Sequence, residues 1–170
     1  KVLNLVPNFA ERQIRPDADW RLDLYPALKT FLLDAAKEGE RLRLVLDAHL
    51  TLSFAAGSVL NIKSGRMIEL EQRTLGKRIW APDDLPADPA WPQWVFSEET
   101  LDSGGEDIVV AVGLTHDVAP AVRAYVSANL PAASRFLAGQ LSTGPGARSV
   151  MCGRHAFDLA EALTGQIKAI

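Results

Sequence analysis

The sequence predicts an α/β fold made of two halves, each with a largely parallel sheet flanked by helices. Segments with strand-like apolar spacing alternate with segments that have helical spacing, and the alternations fall into two groups separated by a proline-rich middle. Such alternation produces parallel sheets covered on both faces. The 170 residues, 48% of them hydrophobic and 23% charged, fit one soluble domain or two small fused halves.

Four segments of the first half have a periodic apolar pattern. Apolar residues recur every three to four positions over 20–37, which predicts an amphipathic helix, and the apolar run 42–46 predicts a buried strand. The stretch 49–60 is ambiguous, because its first apolar residues alternate as in a strand while its alanines and its length favour a helix. We interpret it as a buried helix. Alternation over 67–72 predicts a second strand, after a turn at 61–65.

The middle of the chain has the composition of a loop. Prolines alternate there with aspartates, a combination that disfavours regular structure. The prolines are Pro82, Pro86, Pro89 and Pro92. We expect three aromatic side chains to hold this loop against the body of the protein: Trp91, Trp94 and Phe96.

The second half repeats the strand and helix signals. The run 107–114 is the strongest strand signal in the chain, and Thr115 with the two residues after it predicts the start of a helix. The run 134–141 is typical of a further strand, and 154–169 has the apolar stripe of a closing helix.

Charge and cysteine content exclude several classes of protein. The net charge of −3 argues against a protein that coats duplex nucleic acid, whereas a small anionic ligand needs only a local basic patch. The single cysteine, Cys152, excludes an intramolecular disulfide and nearly excludes a cysteine-based zinc site, and it fits a reducing cytoplasm. No apolar run reaches the roughly 20 residues of a membrane span, and no common cofactor or hydrolase motif is present, so we expect no membrane, cofactor or metal site.

The chain starts at Lys1 rather than at a methionine and stops just after the last predicted helix. We therefore expect it to be a domain of a larger protein.

Two loops are the first candidates for a binding site. In parallel sheets, ligands bind beyond the carboxyl ends of strands, where helix amino termini present free N–H groups. This rule selects the segment 47–51 and the segment 114–117, each after a strand of its own half. The candidate ligand contacts in them are His49, Thr51, Thr115, His116 and Asp117. Neither histidine has a cysteine or carboxylate partner at metal spacing, so hydrogen bonding or nucleotide contact is favoured over metal binding. Asp47 could be a catalytic acid, but a carboxylate that ends a strand is more often a cap for the following helix, and the same holds for Asp117.

Four further residues are candidate contacts, each with a structural alternative. Lys63 could reach a phosphate or be an ordinary solvated lysine. Gln72 could recognise a base edge or be an exposed strand residue. Trp80 could stack on a base or seal a loop. Arg154 opens the last helix, where a cation opposes the helix dipole, so a nearby anion or a surface ion pair would explain its position.

Several motifs together resemble one known family. The run 44–57, then Lys63-Ser64-Gly65, Gln72-Arg73 and Trp80, is continued in the second half by 109–118, Gly144-Pro145-Gly146 and His155-Ala156. In this order and spacing they resemble the SAVED domain, the sensor module of bacterial cyclic-oligonucleotide anti-phage signalling (CBASS). The lead-in from Phe9 to Trp20 looks like the linker of effectors that carry an HNH nuclease.

The resemblance implies two fused CARF-like Rossmannoid halves with a pocket where they meet. It divides the chain into a linker and lead-in helix (1–40), a first half (41–80), a connecting loop (81–105) and a second half (106–170), which ends before the strand and helix that usually close the domain. It also implies a bacterial cytoplasmic sensor without catalysis of its own. The implied partners are a cyclic di-, tri- or tetranucleotide, a fused effector domain such as a nuclease, and further copies of the same chain.

Two alternatives stay open. The chain could be a ring-nuclease-like enzyme that cleaves the cyclic oligonucleotide, with His49, Thr115 or His116 positioning a ribose hydroxyl. It could also be a structural module whose halves only make assembly contacts.

Overall fold

The computed structural model describes residues 1–11, 13–61, 65–73, 76–101 and 104–170. These residues form two compact units, Lys1–Ala81 and Pro82–Ile170. Lys63 and its two neighbours in the predicted turn, Ile62 and Ser64, lie outside the described residues. In the part of the chain covered by these ranges, no helix is both long and apolar enough to cross a bilayer.

The first unit contains two helices and a small hairpin. Two short antiparallel strands, β1 (Phe9–Ala10) and β2 (Gln13–Ile14), precede helix α1 (Tyr25–Lys37). A π-helical turn, Trp20–Leu24, leads directly into α1, so the predicted helix over 20–37 is confirmed. The ambiguous stretch forms helix α2 (Leu50–Val59), as interpreted.

The sheet of the first unit has three strands. They are β3 (Arg41–Leu44), β4 (Met67–Gln72) and β5 (Arg78–Trp80), in the order β3-β4-β5. Strands β3 and β4 are parallel and joined through α2, whereas β5 runs antiparallel to β4. The pairing places Leu44 and Trp80 on either side of Leu70 in one row across the sheet.

Helices α1 and α2 pack on one face of this sheet. Leu32 and Ala56 are almost completely buried between the two helices, and Leu42, Leu44 and Ile68 of the sheet pack against them. The opposite face is charged. Glu69 lies there between Arg41 and Arg43, and Glu71 lies between Arg73 and Lys77. Apolar side chains at alternate positions of β3 and β4 thus explain why only one face is covered.

The second unit places its sheet between two helices. Its elements are β6 (Trp94–Thr100), β7 (Asp107–Gly113), α3 (Ala119–Asn129), β8 (Ala133–Leu141) and α4 (Gly153–Ala169). The strand order is β6-β8-β7, with β7 parallel and β6 antiparallel to β8. Helix α3 packs on β7 and β8, and α4 contacts β6.

The α/β class is confirmed, but the sheets are mixed rather than largely parallel. Each of the two three-stranded sheets has one parallel and one antiparallel pair, and the small sheet β1-β2 is antiparallel. Strands β4 and β5 are separated by only residues 73–77, which is enough for a reversal but too short for the crossover that a parallel neighbour requires. Strand β6 was not predicted, and it lies inside the stretch that the sequence assigned to a connecting loop.

The loop 82–93 is tied to α4, as its aromatic residues predict. The ring of Trp91 lies 5.2 Å from that of His155, and His155 Nε2 hydrogen-bonds the Pro92 carbonyl at 2.8 Å. Trp94 donates its indole N–H to the carbonyl of Leu159 at 2.8 Å. His155 is fully buried, and its Nδ1 accepts a hydrogen bond from the Met151 N–H. Both ring nitrogens therefore have structural partners, which makes this histidine part of the core.

Candidate functional site

In the first unit, the candidate residues lie at the carboxyl edge of β3 and β4. The segment 45–49 leaves β3 and leads into α2, where His49 is the residue that precedes the first turn and Thr51 is exposed within that turn. Gln72 ends β4, which is parallel to β3, so it lies at the same edge of the sheet. The structure thus brings three of the sequence-predicted residues to one edge.

The amino terminus of α2 lacks a side-chain cap. His49 makes no capping hydrogen bond, and the first turn of α2 holds no acidic residue. Asp47 makes no hydrogen bond to α2 among the described residues, so its interpretation as a cap is wrong. The first N–H groups of a helix need acceptors from outside the helix. Among the residues that the structure describes, no side chain caps these donors at α2.

The other helix starts do have acceptors. Asp19 accepts hydrogen bonds from the N–H groups of Arg21 and Leu22 at the turn that leads into α1. Asp117 Oδ1 accepts from Ala119 N at 3.1 Å at the start of α3. At α4, the carboxylate of Asp84 accepts from the N–H groups of Gly153 and Arg154. Within the described part of the chain, α2 is therefore the helix whose amino terminus stays open to an added anion.

The ring of His49 is held by an aromatic neighbour. Its centroid lies 4.8 Å from that of Phe9, and the two rings are inclined by 21°. Phe9 belongs to β1, 40 positions earlier, and the sequence had no local signal for this contact. The stacking fixes the imidazole beside the open start of α2.

Gln72 and Trp80 share one face of the sheet. Trp80 is opposite Leu70, and Gln72 is opposite Arg78, so these side chains all lie on the face that carries the helices. Trp80 is half-buried, and Gln72 Oε1 accepts a hydrogen bond from the N–H of Arg73 at 2.7 Å. The register therefore places an amide and an indole close together near the edge where β3 ends.

In the second unit, the predicted loop follows β7. Thr115 Oγ1 and His116 Nδ1 are hydrogen-bonded at 2.9 Å. Asp117 Oδ1 also accepts from Gln140 Nε2 at 3.0 Å, and Gln140 lies on the parallel strand β8 opposite Gly113. Asp117 is not the N-cap residue of α3, which is Val118, but it accepts from the first helical N–H and anchors the loop to both parallel strands.

Ser149 is a structural residue that the sequence did not single out for this site. It is buried, and its hydroxyl lies 2.8 Å from the Leu114 carbonyl oxygen and 2.7 Å from that of Gly146. The N–H of Gly146 also donates to the Leu114 carbonyl at 2.9 Å. These bonds join the two loops that leave the carboxyl ends of β7 and β8. Because the partners are 35 positions apart, no sequence spacing could have indicated them.

Arg154 lies in the first turn of α4 and is paired there. Its Nε donates to Asp158 Oδ1 at 2.9 Å, and its backbone N–H donates to Asp84. The sequence suggested either a nearby anion or a surface ion pair, and the structure contains both. Asp84 is the anion, and Asp158 is the partner in the ion pair. In the described residues no group of histidines, cysteines and carboxylates is arranged to hold a metal ion.

An open cleft of about 930 Å³ lies within the first unit. It is lined by the amino-terminal segment, by α1, by residues 41–46, and at one end by His49. Most of the lining is apolar, with Leu3, Leu5 and Phe31 among the side chains.

Comparison with known proteins identifies a family and a relative. The protein-family model SAVED, described as "SMODS-associated and fused to various effectors sensor domain", matches residues 24–170. CD-NTase-associated protein 4 of Enterobacter hormaechei subsp. hoffmannii (strain UCI 50) is 32% identical over 160 residues. The alignment covers 94% of this chain and 31% of that protein, so the chain spans about a third of the length of this relative.

Proposed function

This chain belongs to the SAVED family of sensor domains, and from that premise we propose that it binds a cyclic oligonucleotide second messenger. Binding would activate an effector domain in the same polypeptide, as part of bacterial anti-phage defence in the cytoplasm. The chain would act as the sensor and leave the ligand chemically unchanged.

The open amino terminus of α2 carries this proposal. A cyclic oligonucleotide presents phosphates, and uncapped helix N–H groups form a site for such anions. The starts of α3 and α4 already hold carboxylates from Asp117 and Asp84. We therefore assign the first phosphate contact to the N–H groups of α2, next to Thr51.

The remaining contacts of the first unit follow from its sheet register. The imidazole of His49 is fixed by Phe9 beside the same helix start, where it can donate to a phosphate or stack on a base. Trp80 offers an indole face for stacking, and Gln72 offers an amide for a base edge. Lys63, outside the described residues, is proposed as a further phosphate contact.

In the second unit we assign contacts to the loop after β7. The hydroxyl of Thr115 and the imidazole of His116 are both exposed and hydrogen-bonded to each other. Either group can exchange that bond for one to the ligand. Asp117 positions the loop through Ala119 and Gln140, and Arg154 would have to exchange its pairing with Asp158 to meet a phosphate.

Three further parts of the proposal come from the family rather than from contacts. The two units would correspond to two CARF-like halves, with a lead-in at 1–40, halves at 41–80 and 106–170, and a connecting loop at 81–105. The ligand would be a di-, tri- or tetranucleotide. Its binding would drive assembly of several copies, which would switch on the effector.

Calorimetric titration with cyclic di-, tri- and tetranucleotides, and with linear oligonucleotides of the same composition, tests the proposal. We expect saturable binding of one cyclic species and recovery of that species intact after prolonged incubation. Binding of no member of the panel would contradict the proposed ligand class. Cleavage of the bound species would instead support the ring-nuclease alternative.

Substitutions at His49 test the assignment to α2. Asp at position 49 would cap the helix with its own carboxylate, whereas Ser would cap it without a negative charge. We expect His49→Asp to raise helix stability and to abolish binding, while His49→Ser retains measurable affinity. Equal affinity of the two variants would remove α2 from the site. Thr115→Val is the matching test in the second unit, because it removes the hydroxyl and preserves the shape of the side chain.

A further inference from the structure

The amino-terminal arm, residues 1–9, lies against the first unit through its apolar side chains. Leu3, Leu5 and Phe9 are half-buried and pack on the core between α1 and α2. The valines beside them, Val2 and Val6, are 91% and 74% exposed. The arm therefore has an inner and an outer side, as a segment that lies on an apolar surface does.

Few polar contacts tie the amino-terminal arm to the rest of the unit. Within the described residues, its backbone hydrogen bonds all have their partners among residues 1–15. Lys1 forms an ion pair with Glu38 just after α1, but both side chains are exposed, and such a pair contributes little. The apolar cleft is lined by the arm on one side and by residues 41–46 on another. Apolar packing, rather than a hydrogen-bonded ladder, therefore holds the arm in place.

Phe9 is the point at which the arm reaches the proposed ligand site. Its backbone pairs with Ile14 in the β1-β2 hairpin, and its ring stacks on His49 at a centroid distance of 4.8 Å. In the described part of the chain neither ring nitrogen of His49 makes a hydrogen bond, whereas His116 uses Nδ1 and His155 uses both nitrogens. An aromatic face, and no hydrogen bond to a described residue, therefore orients the imidazole of His49.

We propose that Phe9 is a positioning residue for His49, and that a phosphate bound by His49 in turn tightens the hold on the amino-terminal arm. The stack keeps the imidazole beside the start of α2, where the proposed function assigns a phosphate. Such coupling is reciprocal. If the stack favours the ring orientation that binds a phosphate, a bound phosphate favours the orientation that stacks on Phe9.

This inference rests on the proposed phosphate contact of His49. It adds a route by which that contact changes a segment 40 positions earlier in the chain.

Affinities from NMR titration test the positioning role. The probe is the cyclic di-, tri- or tetranucleotide that saturates in the calorimetric panel, or inorganic phosphate if no member of the panel binds. Phe9→Leu removes the aromatic face but keeps an apolar side chain on the core, and it should weaken binding about tenfold. Phe9→Tyr keeps the aromatic face and should bind as the wild-type chain does.

Phe31→Leu is the matched control for Phe9→Leu. Phe31 is also half-buried and packs on the same core, from α1, so the substitution removes the same ring without removing the stack on His49. It should leave the affinity unchanged.

Hydrogen exchange tests the reverse direction, from the probe to the arm. The amides of Val6, Asn8 and Phe9 are hydrogen-bonded within the arm, so their exchange reports its opening. A saturating probe should slow their exchange in the wild-type chain by about the factor by which Phe9→Leu weakens binding, because one coupling free energy sets both. In Phe9→Leu the probe should leave the exchange of these amides unchanged. The amide of Ala18, which bonds Arg15 outside the arm, is the internal control.

Several results would overturn the inference. Equal affinity of the wild-type chain and Phe9→Leu would show that the stack does not position His49. An equal loss in Phe31→Leu or in Phe9→Tyr would show that the aromatic face at position 9 is not the cause. Arm exchange that the probe leaves unchanged in the wild-type chain would remove the coupling. Circular dichroism confirms that each variant is folded.

The proposed ligand class is decided separately. A panel without a binder would remove that class, and the phosphate titration would then decide the inference, which fails if phosphate does not bind either. A cyclic species that binds the wild-type chain and Phe9→Leu equally well would remove the inference and leave the ligand class intact.

Discussion

Asp84 Oδ1 accepts a hydrogen bond at 2.9 Å from the backbone N–H of Arg154, which lies 70 positions later in the chain. The second carboxylate oxygen accepts from Gly153 at 2.7 Å. A carboxylate from the loop thus occupies the place at the start of α4 where a free anion would otherwise bind. The loop residue thus adds a charged acceptor to the local cap of α4, Cys152 Sγ, which accepts from the His155 N–H at 3.4 Å.

Removing this carboxylate should destabilise the second unit. We expect Asp84→Ala to lower the free energy of unfolding by about 1–3 kcal/mol, because two helix N–H groups lose a charged acceptor. Asp83→Ala is the matched control, since Asp83 is an exposed neighbour. Denaturant unfolding measures the loss, and hydrogen exchange of the first turn of α4 locates it. Equal stability of the two variants would mean that Asp84 contributes nothing as a cap.

Alanine in place of glycine should have opposite effects at two positions. A Cβ at Gly139 would lie 3.0 Å from Phe96 Cε1, so Gly139→Ala should cost about 1–3 kcal/mol through overpacking. Gly57 is inside α2 with nothing within 4 Å of its added Cβ, so Gly57→Ala should stabilise by about 0.5–1 kcal/mol. Thermal unfolding of both variants checks the signs. A neutral Gly139→Ala would show that the Phe96 ring can move aside.

The thiol of Cys152 should be unreactive in the folded protein. Burial raises the pKa of this thiol, and the carboxylate of Asp84 raises it further. Because the thiolate is the reactive form, iodoacetamide should label the native chain at least about tenfold more slowly than the denatured chain at pH 8. Because the pKa is higher in the folded state, the thiol stabilises the folded protein at pH values below the pKa of the unfolded chain. This contribution is lost as the pH rises through the pKa of the folded protein. Rapid labelling of the native chain would contradict the burial.

Glu71 should titrate below the ordinary range of a glutamate. Hydrogen bonds from Lys77 and, to a smaller extent, Arg73 lower the pKa of its carboxyl group. Because the pKa is lower in the folded state, the ionised carboxylate stabilises the folded protein at pH values above the pKa of the unfolded chain. This stabilisation disappears as the pH falls through the pKa of the folded protein. An NMR titration of the carboxyl carbon measures the pKa, which we expect Lys77→Met to raise more than Arg73→Met. Lys29→Met, on α1, should leave it unchanged.

Much of the fold could be predicted because its signals are local. The apolar pattern typical of a helix or of a strand runs along most of four elements: α4, β4, β7 and β8. The predicted ends of each lie within two residues of those in the structure. The stretch that became α2 was harder, because its apolar residues fit both periods. Its length favoured a helix, and the structure confirms that interpretation.

What the sequence did not show depends on distant partners. Strand β6 forms from a stretch that follows several prolines, and it exists because β8, about 40 positions later, pairs with it. In the candidate site, the sequence predicted the loops after β3 and β7 but neither Phe9 against His49 nor Asp84 at α4. Each of these contacts joins residues that only the tertiary structure brings together.

The strand order of the second unit has a consequence for biosynthesis. Strand β8 occupies the centre of the sheet but is the last of its strands to leave the ribosome. Until residues 133–141 have emerged, β6 and β7 have no neighbour to pair with, whereas β3, β4 and β5 can already form their sheet. We therefore expect nascent chains that stop before β8 to be protease-resistant in residues 1–81 and protease-sensitive beyond, with protection of the later region gained in one step once β8 is exposed.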